Sequence, residues 1–255
     1  MTKYEVLDVV SNNVCDSIFL RVCKKSRIAY YIQAKSYKYD GRHVPSAATL
    51  KFLKNFVENV KATRVDGLSF LSDFPKLTKL NLALTKVSDL RPLAKCTALT
   101  DLSLRRTNVS DVSPLASCTA LAVLSLRRTN VPDVSPLASC TALAILDLSE
   151  TNVINVTPLA SCTALTVLDL SCTKVSDLGP LAACTALTKL ELYDTKVINV
   201  APLTACTALT ELDLSLTYAT DVAPLAACTA LTKLELRGTG ANYMTHQVAC
   251  PRMYV

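Results

Sequence analysis

From Leu77 onward a leucine returns every 22 residues, at Leu77, Leu99, Leu121, Leu143, Leu165, Leu187, Leu209 and Leu231. The unit around them reads L-T-x-L-x-L-x-x-T-x-V-x-D-V-x-P-L-A-x-C-T-A. Neighbouring copies such as "SPLASCTALAVLSLRRTN" and "SPLASCTALAILDLSETN" differ by only a few letters. So short and strict a period leaves few folds open. One such unit cannot bury its own apolar face, so successive units must stack and share a core.

Within the unit, "LTKLEL" alternates apolar and polar residues, as a short strand with one buried face does. The Val, Leu and Cys of "VSDVSPLASC" then turn inward across a tight helical or 3-10 segment. Asp111 and Asp133 stand where such a turn wants an N-cap, and Pro114 and Pro136 suit its first residues. Stacked strands repeat at about 4.8 Å, so about nine coils give a curved rod on the order of 40 Å long. The phase continues at both ends. Thr63, Val65, Leu68, Leu71 and Phe74 precede Thr85, Val87, Leu90, Leu93 and Cys96 by one repeat, while Thr239, Met244, Cys250 and Met253 follow it. The array is therefore expected over 60–238, with a degenerate capping repeat at 239–255 that covers the open strand edge.

This unit resembles the leucine-rich-repeat family, in the short 22-residue class of internalins and phosphatase regulators, over about residues 60–253. The resemblance implies an α/β fold: a right-handed solenoid with parallel strands on the concave face and short 3-10 or helical turns on the convex face. It implies almost nothing about what is bound, because one fold serves many functions.

Eight of the 11 cysteines occupy one repeat position: Cys96, Cys118, Cys140, Cys162, Cys184, Cys206, Cys228 and Cys250. No Cys-x₂-Cys pair accompanies them, so the expectation is a small apolar plug in a tight inner corner rather than a metal site. Cys172 stands instead in an outward column, where it is the expected exposed and modifiable thiol.

Residues flanking the inward leucines point away from the core. The column before the second leucine holds Val123, Ile145 and Val167, an apolar strip on a face that should be wet. The next outward column holds Asp147, Asp169, Glu191, Asp213 and Glu235, an acidic stripe whose like charges should repel at strand spacing. Further along lie Arg105, Arg106, Arg127 and Arg128, with Tyr193 in the column of Arg105 and Arg127. An apolar centre with a charged surround is the expected form of a protein-binding patch. The arginines are an alternative place for a phosphate or an acidic peptide.

The basic excess lies in the first quarter of the chain. Residues 1–64 hold 12 Lys and Arg against 5 Asp and Glu, net +7, and the remaining residues hold 15 against 16, net −1. Val6, Val10, Val14, Ile18 and Val22 recur every four residues, and Ser46 precedes Leu50, Leu53 and Val57, which together predict a basic helical N-terminal cap over 1–59. Two other readings apply to this region. Glu5 to Ala29 is similar to an F-box, without its leading proline or its tryptophan, which would make the chain a ubiquitin-ligase substrate adaptor. Lys24, Lys25, Arg27, Lys35 and Lys38, interleaved with Tyr30 and Tyr31, offer phosphate neutralisation and base stacking for RNA or a ribonucleoprotein.

Nothing in the sequence points to an enzyme. The two histidines, His43 and His246, lie near opposite ends, and no phosphate loop, nucleophile elbow or metal signature is present. No cofactor is expected. Without a secretory pattern or a membrane-length apolar run, the expectation is a soluble cytoplasmic protein, monomeric alone or a subunit of a larger assembly. Its sequons at Asn108 and Asn155 then count as chance. The leading expectation is a scaffold that grips a protein partner on its concave face.

Overall fold

Each repeat delivers one three-residue strand, and these strands pair in parallel in chain order: β5 (Lys79–Asn81), β6 (Asp101–Ser103), β7 (Val123–Ser125), β8 (Ile145–Asp147), β9 (Val167–Asp169), β10 (Lys189–Glu191), β11 (Glu211–Asp213) and β12 (Lys233–Glu235). Their register is the 22-residue repeat itself, with Leu80, Leu102, Leu124, Leu146, Leu168, Leu190, Leu212 and Leu234 aligned across the sheet. The computed structural model describes residues 19–22, 28–31, 36–40, 59–63, 67–68, 71, 76–241 and 252–254.

After each strand the chain turns through one residue with positive φ. Leu84, Arg106, Arg128, Glu150, Cys172, Asp194 and Leu216 lie between 52° and 64°, and Gly238 at 68°. A left-handed conformation costs a non-glycine residue about 1–2 kcal/mol. Here it is held by hydrogen bonds: Arg106 N–H donates to Arg127 O at 2.8 Å, and Glu150 N–H to Ser171 O at 2.8 Å. The buried threonine that follows closes the turn, as when Thr129 Oγ1 donates to Leu126 O at 2.6 Å.

The return path is a 3-10 turn such as Ser113–Ser117 or Ser135–Ser139, with proline at its second residue. The capping aspartate sits one place earlier than expected. Val112 occupies the N-cap, and Asp111 Oδ1 accepts the Ser113 N–H at 2.8 Å across it. Asp133, Asp177 and Asp221, and the asparagines Asn155 and Asn199, do the same for their own turns.

The core runs the length of the stack. In one coil Leu121, Leu124, Leu126, Val131, Val134, Leu137 and Cys140 are all fully buried. Full burial of each aliphatic side chain contributes about 1.5–3 kcal/mol, and no coil keeps it without a neighbour.

The ends depart from the repeat. β4 (Asn59–Thr63) pairs in parallel with β5, Val60 opposite Leu80, and Val60 is fully buried. Leu68 and Leu71 match Leu90 and Leu93 in burial and in their 2.8 Å hydrogen bond. Val60 and Leu80 are 20 apart and Leu68 and Leu90 are 22 apart, so the first coil loses two residues between strand and turn. β13 (Arg252–Tyr254) pairs with β12, Met253 opposite Leu234. Met253 is thus 19 residues from its partner, not in the 22-residue phase expected with Leu231. Cys250 and the rest of 242–251 lie outside the described residues.

The expected helical cap is corrected where it can be seen. β1 (Phe19–Val22) and β2 (Ile28–Tyr31) form an antiparallel pair, and β3 (Ser36–Asp40) joins them to β4. Val22, assigned to a helix face by its four-residue spacing, lies in a strand. A four-residue recurrence fits a helix face but is also twice the strand period, so it cannot separate the two. The β-branched and aromatic run Ile28–Tyr31 favours the strand. Within the F-box-like segment Glu5 to Ala29 the described residues, Phe19–Val22 and the start of Ile28–Tyr31, are strand, and 5–18 and 23–27 lie outside the described residues. Val6, Val10, Val14, Ile18 and the Ser46–Val57 segment lie outside the described residues.

Candidate functional site

Val123, Ile145 and Val167 stand directly opposite one another on β7, β8 and β9. Ile145 is 41% exposed and its two neighbours are half-buried. Their strands are held at about 4.8 Å, so the three side chains make one continuous apolar strip on the sheet's outward face. Elsewhere in this column stand Lys79, Asp101, Lys189, Glu211 and Lys233. Beside the strip is a shallow open depression of about 240 Å³ over β5 to β7, lined in part by Lys79, Asn81, Asp101, Ser103 and Val123.

The acidic stripe is in register, Asp147 beside Asp169, then Glu191, Asp213 and Glu235. It is less repulsive than its sequence suggests, because every carboxylate has a donor. Asp169 accepts the Ser171 N–H at 2.9 Å and Asp213 the Ser215 N–H at 2.8 Å. Asp147 accepts from Ser125 Oγ at 2.9 Å, Ser149 N–H at 3.1 Å and Ser149 Oγ at 2.5 Å. These aspartates brace the strand exit, as Asn81 does for Ala83 at 3.0 Å. Glu191 and Glu235 meet lysines of their own strands, Lys189 at 2.8 Å and Lys233 at 2.7 Å. Lys189 also reaches Glu211 at 3.2 Å, and its two carboxylate partners, Glu191 first, raise its pKa to about 12.

The four arginines divide. Glu150 accepts from Arg127 Nη2 at 2.9 Å and from Arg128 Nε, and the Arg128 guanidinium, then Arg127, holds its carboxyl below the ordinary range. Arg105 and Arg106 are exposed one coil earlier. Tyr193 is 41% exposed in the column of Arg105 and Arg127. Sequence reasoning missed both the lysine fork and the left-handed column; Gly238 was the one signal of the latter.

The described repeat-position cysteines, Cys96 to Cys228, are buried free thiols. Their Sγ atoms lie 3.3–3.6 Å from a leucine carbonyl of the preceding coil. Burial pushes Cys96, Cys118, Cys140, Cys184 and Cys206 up to about 11. Cys172 is exposed, as its column predicted. Its thiol is also raised, by partial burial first and then by Asp194, Glu150 and Asp169, so exposure does not make it a ready nucleophile.

Among the described residues no group of His, Cys, Asp or Glu is arranged to hold a metal ion, and no helix is long and apolar enough to cross a membrane. Of the N-terminal candidates, Lys24, Lys25, Arg27 and Lys35 lie outside the described residues; Tyr30 and Tyr31 belong to β2 and Lys38 to β3.

No family model matches the chain, and no curated protein matches it. Solved structures do. Internalin C2 of Listeria monocytogenes is 30% identical, with a TM-score of 0.70 over 75% of this chain and 84% of its own. The chain belongs to the leucine-rich-repeat family, in its internalin-like class. A second Listeria monocytogenes internalin, InlF, is 31% identical, with a TM-score of 0.75 over 83% of this chain. The chain spans 64% of that internalin's length. The leucine-rich-repeat ectodomain of an Arabidopsis thaliana membrane receptor kinase, solved in complex with Casparian strip integrity factor 2, shares the fold at 18% identity and a TM-score of 0.68. It covers 80% of this chain and 27% of its own. Among leucine-rich-repeat folds the strands line the concave face, so the apolar strip and the acidic stripe of this chain lie within its trough.

Proposed function

We propose that the chain is a non-catalytic protein-binding scaffold whose concave face grips its partner at Val123, Ile145 and Val167. The observation behind this reading is the apolar strip: three aliphatic side chains aligned on adjacent strands, in a column otherwise charged, on the solvent side of a complete core. The core does not need them there. Burial of each would contribute up to about 1.5–3 kcal/mol to binding a partner, less the cost of association. The fold suits the role, because a rigid trough presents many strands to one partner at once.

The test is the triple substitution V123S/I145S/V167S, with affinity capture from native extract beside the parent chain. The thermal midpoint should hardly change, and the partners retained by the parent should be lost. Partners that survive the substitution in a folded variant would place binding elsewhere.

A further inference from the structure

The charges of the trough are not all available to a partner. Lys79 is paired with Asp101 at 3.2 Å, Glu150 with Arg127 and Arg128, Lys189 with Glu191 and Glu211, and Lys233 with Glu235. Once these local pairs are set aside, the exposed Arg105 and Arg106 remain before the apolar strip, and carboxylates that meet no cation among the described residues remain along its far half and beyond it. Arg105 and Arg106 follow β6 and are exposed. Asp169 and Asp213, on β9 and β11, are bound only by backbone N–H groups, and no cation meets either of them among the described residues.

From this separation we infer that the concave face takes a polypeptide segment of fixed polarity: carboxylates over Arg105 and Arg106, apolar side chains over Val123, Ile145 and Val167, and amines or guanidiniums over Asp169 and Asp213. The inference rests on the concave-face reading above and names the chemistry of its partner. From β6 to β11 is five strand spacings, roughly 24 Å. A helix of about 16 residues spans that length at 1.5 Å per residue. Such a helix, acidic in its first turn and basic in its last, is also stabilised by its own dipole. A second copy of this chain is the poorer occupant, because a trough cannot close on a trough at its middle, where Ile145 lies. Opposed charges at the two ends set register and orientation, while the strip supplies the desolvated centre.

The carboxylates can be neutralised without loss of the fold. Asn81 already performs the same brace with an amide oxygen, so D169N/D213N keeps the hydrogen bonds and removes only the charge. R105Q/R106Q does the equivalent on the other side. The probe is an 18-residue alanine-based helical peptide, fluorescein-labelled, with glutamates in its first turn, leucines at its centre and lysines in its last turns. Its control has the same composition with glutamate and lysine alternated at both ends. Anisotropy titrations of the full chain at low salt should show the segregated peptide bound at least tenfold more tightly than the control. That advantage should collapse in high salt and in either charge-neutral variant, with residual binding left to the apolar strip. Equal binding of the two peptides, no binding of either, or an advantage that survives both charge-neutral variants overturns the inference. Equal binding that the triple serine substitution abolishes overturns the polarity alone and leaves the concave-face reading standing. Partner capture that persists in the triple serine variant overturns the reading itself.

Discussion

The side chain of Leu216 lies over Gly238 of the next coil: a Cβ added to Gly238 would fall 2.5 Å from Leu216 Cδ2. Both residues adopt positive φ, 56° and 68°, so the last repeat of the column has both the steric and the conformational need for glycine. Gly238→Ala should destabilise the chain by about 1–2 kcal/mol, measured by urea unfolding. In the same column Leu84→Gly and Cys172→Gly relieve a left-handed side chain at exposed positions, and each should be neutral or stabilising by up to about 1 kcal/mol. Loss of stability in both would show that the turn is not strained.

The buried thiols make the array sensitive to alkali. An ordinary cysteine ionises near 9.0, whereas those of the core are pushed up to about 11. Between these values the unfolded chain has released protons that the folded chain still holds. Their contribution is therefore complete below about pH 9 and is lost as pH rises through about 11. Two pKa units are worth about 2.7 kcal/mol per thiol at the top of that range. Thermal midpoints should fall steeply above pH 9, and Cys140→Ala should flatten the fall by one thiol's share. An unchanged slope would contradict the burial of that thiol.

Thiol labelling reports the same geometry. Among the described cysteines, iodoacetamide at neutral pH should modify Cys172 well before the seven buried ones. Its rate should climb with pH above 9, because its acidic neighbours and partial burial hold it protonated. Peptide mapping by mass spectrometry measures both. Early labelling of Cys140 in folded protein would mean that the coils open.

The aspartates of the stripe support the backbone. Asp169→Asn should leave stability within about 0.5 kcal/mol, whereas Asp169→Ala removes the acceptor of the Ser171 N–H and should cost about 1 kcal/mol. Equal effects of the two would show that charge, not the hydrogen bond, matters at this position.

Thr151 Oγ1 donates to Leu148 O at 2.6 Å inside the turn. Thr151→Val keeps the shape and loses the donor, with an expected cost of about 1 kcal/mol; Thr151→Ser should lose less. Urea midpoints for the pair distinguish the hydroxyl from the packing of the methyl group.

Most of the array was legible beforehand because a 22-residue period admits only one solution in which every Leu99, Leu121 or Leu143 is buried by its neighbours. Column membership followed from that, and with it the outward placement of Val123, Ile145 and Val167 and the inward placement of Cys118 and Cys140. The ends were legible only in part: Leu68 and Leu71 keep the phase of Leu90 and Leu93, but the strands before and after the array were not foreseen. Val22 sits in a strand because a four-residue spacing serves helix and strand alike, and Met253 pairs with Leu234 because a worn repeat no longer fixes its own register. Tertiary contacts alone decided which charges are taken. Glu150 meets Arg127 and Arg128 of the preceding coil, and Lys189 meets Glu211 of the next, because a hydrogen bond needs atoms within about 3 Å and a column of letters carries no distances. Periodicity dictates which way a side chain points; only the packed coils dictate what it touches.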